Sequence, residues 1–185
     1  MLPYDDVGEQ RCTMRIVSSV CHLFAYEVTA AGPCAVALDP AAVRARKLFV
    51  DCLVLQVAVE PGDAAALPAA VEVVKTIAAH DDAGYIVVEG VAPWARSDRR
   101  GAHEDVLTGL ADALDIVSEL TERLAERGEL VHLMPFGWNT VRFTEFAGGS
   151  RPRRVTRLNP APLPADRSRH SRAPRMAGSC RSLSY

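Results

Sequence analysis

The sequence lacks several features that would assign it at once to a known class of protein. No stretch approaches the roughly 20 apolar residues that a membrane-spanning helix needs. The first residues show neither the basic nor the apolar segment of a signal peptide. Neither a Walker phosphate-binding loop nor a Gly-x-Gly-x-x-Gly motif occurs. We therefore expect a cytoplasmic protein without membrane contact, and we expect neither ATP nor a dinucleotide as cofactor.

Cysteine and histidine are too irregularly spaced to indicate a metal site or a disulfide framework. The five cysteines form no Cys-x-x-Cys pair, and their odd number does not suit a set of disulfides. His80, His103 and His132 show no His-x-x-x-His or comparable spacing. The sequence thus predicts free, mostly buried thiols, no metal site and no cofactor.

Charge is distributed unevenly along the 185 residues. Residues 151–185 hold nine arginines and one acid, whereas the rest of the chain holds 12 basic and 22 acidic side chains. The arginines either bind tRNA phosphates with release of counterions or reflect a composition bias without function. Few apolar residues offset the ordering entropy of this segment. We assign residues 148–185 to a basic tail, disordered beyond about residue 158, and residues 1–13 to an N-terminal extension.

Residues 14–147 show the periodic hydrophobicity of one folded domain. Residues 14–20 and 24–29 predict two strands around a tight connection at Cys21 and His22, and residues 53–59 predict a central strand. Asp63 is placed to cap the helix that follows. The apolar face of this helix consists of Leu67, Ala70, Val71, Val74, Ile77 and Ala78.

A strand at residues 85–89, a long helix at residues 104–127 and strands at residues 130–134 and 141–146 complete the pattern. Gly128 suits the position that ends the long helix. The apolar stripe of this helix consists of Val106, Leu110, Ala113, Leu114, Val117, Leu120 and Leu124. The order β-β-β-α-β-α-β-β predicts an α/β (α+β) fold, with two main helices covering one face of a mixed sheet.

Three stretches of this domain resemble the N-terminal editing domain of archaeal-type threonyl-tRNA synthetases. The first comprises the opening strands from Met14 to Val28, and the second comprises residues 57–63 with the Ala-rich helix after them. The third and most specific is residues 127–138, because family members carry Pro-Phe-Gly followed by Trp or Tyr there. The resemblance covers roughly 130 residues and implies the fold that this family shares with D-aminoacyl-tRNA deacylases.

The resemblance also implies a function in translation fidelity. Members of the family hydrolyse the ester that joins a wrongly attached serine to threonine tRNA. Serine and threonine differ by one methyl group, worth only about 1–3 kcal/mol in a binding pocket, so a second selection step is useful. Since this chain contains no aminoacylation domain, it would act in trans on the aminoacylated 3′ end of tRNA. A threonyl-tRNA synthetase and a second copy in a homodimer are the further partners that the family implies.

Three polar residues of the family pattern are replaced in this chain. Val20 and Pro93 stand where family members carry histidines, and Thr140 stands where they carry a lysine. Valine and proline supply no acid or base, and threonine supplies a hydroxyl but no cation. An alternative is therefore a catalytically degenerate relative that binds aminoacyl-tRNA or a synthetase without hydrolysis. A third hypothesis is an interaction protein that docks on a synthetase through its sheet.

The motif and its surroundings supply the candidate site residues. We predict a substrate pocket lined by Ala92, Pro93, Pro135, Phe136, Gly137, Trp138 and Asn139. The catalytic candidates are Thr140, His22 as a base near neutral pH, and Arg142 as a replacement for the missing cation. The alternatives are that His22 is an exposed loop histidine and that Arg142 is an exposed salt-bridging arginine. Arg96, Arg99 and Arg100 either grip the tRNA acceptor end or belong to a solvated loop.

Overall fold

A computed structural model describes residues 14–60, 62–92, 103–148 and 153–158. Its helices are α1, Leu67–His80, and α2, His103–Glu126, and two short 3-10 turns lie at Pro40–Ala42 and Asp63–Ala66. Its strands are β1, Met14–Ala31; β2, Arg46–Ala58; β3, Tyr85–Val91; β4, Val131–Leu133; β5, Trp138–Phe146; and β6, Arg153–Leu158. The predicted α+β fold, with two main helices and a mixed sheet, is confirmed.

The six strands form one sheet in the order β4-β3-β2-β1-β5, with β6 also paired to β1. The pairs β2–β3 and β3–β4 are parallel, whereas β1 runs antiparallel to all three of its neighbours. Strand β6 lies beside Met14 to Ser19, and β5 lies beside Cys21 to Ala31. The two strands therefore follow one another along the same edge of β1.

Helices α1 and α2 pack on one face of this sheet, which we call the helix-covered face. All six residues of the predicted apolar face of α1 are buried, and so are Val117, Leu120 and Leu124 of α2. They contact strand residues Met14, Ile16, Leu53, Leu55, Val57, Ile86 and Val88. Gly128 ends α2 with φ +89, as predicted for a helix C-terminal glycine.

The opposite side of the sheet, which we call the open face, has a different composition. A second buried cluster lies here, formed by Cys21, Phe24, Tyr26, Val28, Cys52, Val87 and Met134. Neither α1 nor α2 contributes to it, and Leu38, Phe49 and Trp138 pack against its margins. This face thus combines aromatic rings and thiols, whereas the helix-covered face is aliphatic.

The prediction of two opening strands around Cys21 and His22 is wrong, because β1 is continuous. Cys21 lies opposite Cys52 and Leu23 lies opposite Val50, so each strand carries one residue out of the ladder between these pairs. On β2 this residue is Asp51, with φ +45. The irregularity shifts the inside–outside alternation by one residue. In the sequence, this break in the alternation of apolar and polar residues looks the same as a turn between two strands.

Asp63 does not cap α1 as predicted. It begins the 3-10 turn before the helix, and the position preceding that turn is Gly62, with φ +92. The Asp63 carboxylate instead accepts a hydrogen bond from the backbone N–H of Glu60 at 2.8 Å. The side chain is completely buried, and this burial raises its pKa.

Strand β6 lies within the segment that we assigned to the basic tail, so the folded domain extends past residue 147. Residues 1–13, most of the tail, Pro93 and the arginines at 96, 99 and 100 lie outside the described residues. Of the helices in the described ranges, none is long and apolar enough to cross a membrane.

Candidate functional site

A cavity of about 360 Å³ lies beside the start of β5, and we call it the β5 cavity. Eight of the predicted site residues line it: Ala92, Pro135, Phe136, Gly137, Trp138, Asn139, Thr140 and Arg142. The remaining wall comes from the segment after β1, the end of β3 and two apolar residues of α2, Val106 and Leu110. The structure therefore brings the Pro-Phe-Gly-Trp segment and Ala92 to one place, although they are over 40 positions apart in the sequence.

One wall of the β5 cavity is built by a close approach of two backbone segments. The N–H of Gly32 donates to the carbonyl of Gly137 at 3.0 Å, and the N–H of Val36 donates to the carbonyl of Phe136 at 3.1 Å. The indole N–H of Trp138 donates to the carbonyl of Val36 at 2.9 Å. These bonds tie the motif to the connection after β1, so the wall has a defined shape.

Gly137 is required by this approach in two ways. Its φ is +78, and a Cβ placed on it would lie 2.3 Å from the carbonyl oxygen of Cys34. A Cβ on Gly32 would likewise lie 2.5 Å from the carbonyl oxygen of Gly137. Only glycine satisfies both the positive φ and the contact distance at position 137. The glycine of the motif therefore has a structural role in forming the wall.

Phe136 links the cavity to the core. It is 7% exposed and belongs to the aliphatic cluster under the helices. Gly90 provides space for the ring, because a Cβ there would lie 3.0 Å from both the ring edge and Val117 of α2. Most of the Phe136 ring therefore packs against protein, and only part of it can touch a ligand.

The polar wall of the cavity is a network centred on Arg142. Its guanidinium binds Glu89 through both terminal nitrogens, with Nη1 at 2.6 Å from Oε2. Its Nε donates to the hydroxyl oxygen of Thr140 at 2.9 Å. The side-chain amide of Gln56 donates to Glu89 at 3.2 Å. Arg142 is therefore a salt-bridging arginine, and its charge is balanced by a carboxylate held in a two-point contact.

Thr140 keeps a useful hydrogen-bonding capacity in this network. A hydroxyl group has one proton to donate and two lone pairs to accept. Since its oxygen accepts from Arg142, its own proton can be donated to another acceptor, such as a ligand carbonyl. Thr140 thus supplies a donor on the cavity wall, oriented by Arg142.

His22 does not belong to the cavity. Its Nδ1 lies 3.1 Å from Oδ1 of Asp51, and both side chains are more than half exposed. On β1, it lies six residues from Val28, the partner of Thr140, which corresponds to about 20 Å along a strand. The structure therefore does not bring His22 together with the predicted site residues that line the β5 cavity. Val20 also lies elsewhere, packed against the core under the helices.

Glu89 and the segment of Gly32, Pro33 and Cys34 line the cavity but were not singled out from the sequence. The available signal for Glu89 was an acid directly after the apolar run of residues 85–88. For Gly32 to Cys34, the signal was only a Gly-Pro turn. Their approach to the motif arises from the pairing of β1 with β5, which local sequence does not display.

The cysteines fall into two environments. Cys21 and Cys52 are buried, free and directly opposite one another, whereas Cys34 is free and exposed. A hydrogen bond from Cys52 lowers the pKa of the Cys21 thiol, while that contact and burial raise the pKa of Cys52. Among the described residues, no three or more His, Cys, Asp or Glu side chains group in a way that could hold a metal ion.

No protein-family model matches the chain, and no curated protein matches it. The residues that line the β5 cavity therefore carry the inference of function.

Proposed function

We propose that the β5 cavity binds the aminoacylated 3′-terminal adenosine of a tRNA, and that the protein hydrolyses mischarged seryl-tRNA for threonine in trans. The observation that carries this proposal is the arrangement of Ala92 and residues 135–140 around one cavity. At about 360 Å³, the cavity is near the small end of ligand sites, which span about 300–1,000 Å³. That size suits an amino acid with part of a nucleoside.

The reaction requires a donor for the ester carbonyl and an acceptor for a proton of the attacking water. The water oxygen forms a bond to the carbonyl carbon, the bond from that carbon to the ribose oxygen breaks, and the ribose oxygen takes a proton. Thr140 can donate to the carbonyl oxygen. Glu89 can accept from water through Oε1, because this oxygen accepts one bond, from Arg142, whereas Oε2 already accepts two, from Arg142 and Gln56.

A catalytically degenerate relative that binds aminoacyl-tRNA without hydrolysis is the second candidate. The observation that favours it is the state of Arg142. Among the described lining residues it is the only cation, and its guanidinium is already bound to Glu89 and Thr140. A developing oxyanion would therefore find a hydroxyl in place of a free positive charge. Loss of such a stabilising group typically costs about 10²–10³-fold in rate.

Deacylation and binding assays on the full chain separate these candidates. Release of serine from seryl-tRNA for threonine above the uncatalysed rate, with threonyl-tRNA spared, supports the hydrolase. Binding of a non-hydrolysable seryl-adenosine analogue without release supports the degenerate relative. Absence of binding by calorimetry contradicts both.

Substitution of Thr140 by valine tests the chemical role of its hydroxyl while nearly preserving its shape. We expect the rate of serine release to fall by about 10²-fold, with binding of the analogue little changed. Thr76→Val is a matched control, because the Thr76 hydroxyl on α1 donates only to the carbonyl of Glu72 and is remote from the cavity. An equal loss in both variants contradicts the role of Thr140.

A homodimer and a threonyl-tRNA synthetase remain the proposed protein partners. Four exposed apolar side chains on β2 and β5 offer a contact surface for either: Leu48, Val50, Val141 and Phe143. Leu48 and Phe143 both lie opposite Ala25, so they flank it across three adjacent strands. Light scattering of the wild type and of Phe143→Ser tests the dimer. A monomeric wild type contradicts it.

A further inference from the structure

The open face of the sheet carries an excess of positive charge, although the whole chain has a net charge of −2. The pairing register places five cations on this face: Arg15, Lys47, Arg142, Arg153 and Arg157. Among the described strand residues that the pairing register assigns to this face, the only carboxylate is Glu89, and it is bound to Arg142. The remaining four cations have no acid beside them on these strands. A chain with a net charge of −2 thus presents a basic surface on this face.

Three of these cations cluster where β6 pairs with β1. Arg157 lies directly opposite Arg15, and Arg153 lies opposite Ser19. All three arginines are exposed, and none forms an ion pair with a residue in the ranges that the structure describes. Like charges placed directly opposite one another destabilise a strand pair. A bound anion would remove this repulsion.

A groove of about 240 Å³ connects this cluster to the candidate site. Arg153 lines it at one end, and Glu89 and Arg142 line it at the other. The same Glu89 and Arg142 also line the β5 cavity, so the groove and the cavity adjoin across this ion pair. Between the two ends, Ser19, Gln56 and Thr144 supply hydrogen-bonding groups, and Phe146 supplies a half-buried ring.

We propose that this groove and the arginines of β1 and β6 bind the backbone of an unpaired RNA strand whose 3′ end enters the β5 cavity. Arginines bind phosphates, hydroxyl and amide side chains bind ribose, and aromatic rings stack on bases. Arg153 and Arg157 lie four residues apart, about 13 Å along the strand, so they contact different phosphates. This inference rests on the proposed function and adds the path by which the strand reaches the cavity.

Charge and chemistry favour RNA over other occupants of this face. A second copy that placed its own open face here would bring arginines against arginines. An anionic lipid surface needs only positive charge, whereas the groove also offers hydrogen-bonding groups and an aromatic ring next to a cavity of about 360 Å³. A single strand uses all three kinds of contact.

The test compares two pairs of substitutions in the full chain. The double variant Arg153→Ala with Arg157→Ala removes two charges from the open face. The control, Arg154→Ala with Arg46→Ala, removes two charges from the opposite side. Arg154 of β6 pairs with Ser18 of β1, and Arg46 of β2 pairs with Glu27 of β1. Both arginines therefore occupy strand positions whose side chains point away from the open face. The net charge of the two variants is therefore identical, and thermal denaturation checks that both are folded.

Binding is measured by fluorescence anisotropy with a labelled single-stranded RNA that ends in CCA and carries no amino acid. We expect the open-face variant to bind at least about 10-fold more weakly, with the slope of log K against log salt reduced by about 1.4 between roughly 50 and 200 mM salt, because each contact to a single strand contributes about 0.7. The control should change affinity less than about 2-fold, and Arg15→Ala should weaken binding in the same direction as the open-face variant.

Equal losses in the two double variants would overturn the proposal, because bulk charge would then explain the binding. A wild type that binds anionic vesicles, or itself, but not this RNA would also overturn it. Calorimetry with the seryl-adenosine analogue separates the two proposals. RNA binding without analogue binding would contradict the proposed function of the β5 cavity and support the RNA-binding groove. Analogue binding without RNA binding would contradict only the RNA-binding groove.

Discussion

The two faces of the sheet use the same strands for different purposes. The helix-covered face is filled by aliphatic side chains from β1, β2, β3 and the two helices. The open face carries Tyr26, His132, paired thiols and the network of Glu89 and Arg142. Since successive strand residues point to opposite faces, one strand can contribute to stability on one side and to recognition on the other. Substitutions on the two faces should therefore have separable effects.

The largest expected effect comes from a cavity in the helix-covered core. Leu120→Ala removes a fully buried side chain of α2, and we expect a loss of about 2–5 kcal/mol in the free energy of unfolding. Leu107→Ala is the control on the same helix, because Leu107 is 57% exposed and should change stability by less than about 0.5 kcal/mol. Denaturant unfolding measures both. Similar losses would contradict the assignment of the buried face of α2.

The next effect tests the wall of the β5 cavity. Both Gly137 and Gly128 have positive φ, but only Gly137 lies against another backbone segment. Gly128→Ala should therefore cost about 1–2 kcal/mol in unfolding free energy from backbone conformation alone. Gly137→Ala should cost about 1–3 kcal/mol more from the clash and should also weaken binding of the seryl-adenosine analogue. Equal losses would contradict the close approach.

A smaller effect concerns the polar pair on the open face. Tyr26 Oη lies 2.6 Å from Nε2 of His132. Burial, and secondarily the charge of Lys47, lowers the pKa of His132, and burial raises the pKa of Tyr26 to about 12. At neutral pH the tyrosine therefore donates to an uncharged imidazole.

Stability should then depend on pH through His132. An unfolded histidine takes up a proton near pH 6.5, while the folded one resists protonation until a lower pH. The unfolded state thus binds more protons in this window, so the free energy of unfolding falls as the pH drops from about 7 through the lowered pKa. Comparison of the wild type with His132→Gln at several pH values measures this slope. A slope unchanged in the variant would contradict the assignment.

The smallest effect is expected for His22. Its ion pair with Asp51 is exposed, so His22→Ala should change the free energy of unfolding by less than about 1 kcal/mol. Serine release should be unchanged, because His22 lies outside the β5 cavity. A large loss of activity would return His22 to the candidate site and contradict the register of β1.

Local hydrophobic periodicity predicted the helices and strands in which the pattern of buried and exposed residues is unbroken from end to end. The buried faces of α1 and α2, the strand at residues 85–89 and the terminating role of Gly128 could all be read from spacing alone. The continuous strand β1 could not be predicted in this way, because the irregularity at His22 reverses the alternation of buried and exposed residues in the middle of the strand. Strand β6 also escaped prediction. Its six residues hold three arginines, and backbone pairing to β1 compensates for its lack of an apolar face.

By itself, the sequence determined the two helices and strands such as β3, and it indicated the Pro-Phe-Gly-Trp segment as a candidate site. These properties depend on residues that are near one another in the chain. Only the tertiary structure decided that Glu89 binds Arg142, that Gly32 packs on Gly137, and that arginines from β1 and β6 share one face with the groove. Each of these contacts joins residues brought together by strand register, and register is set by the packing of the whole sheet.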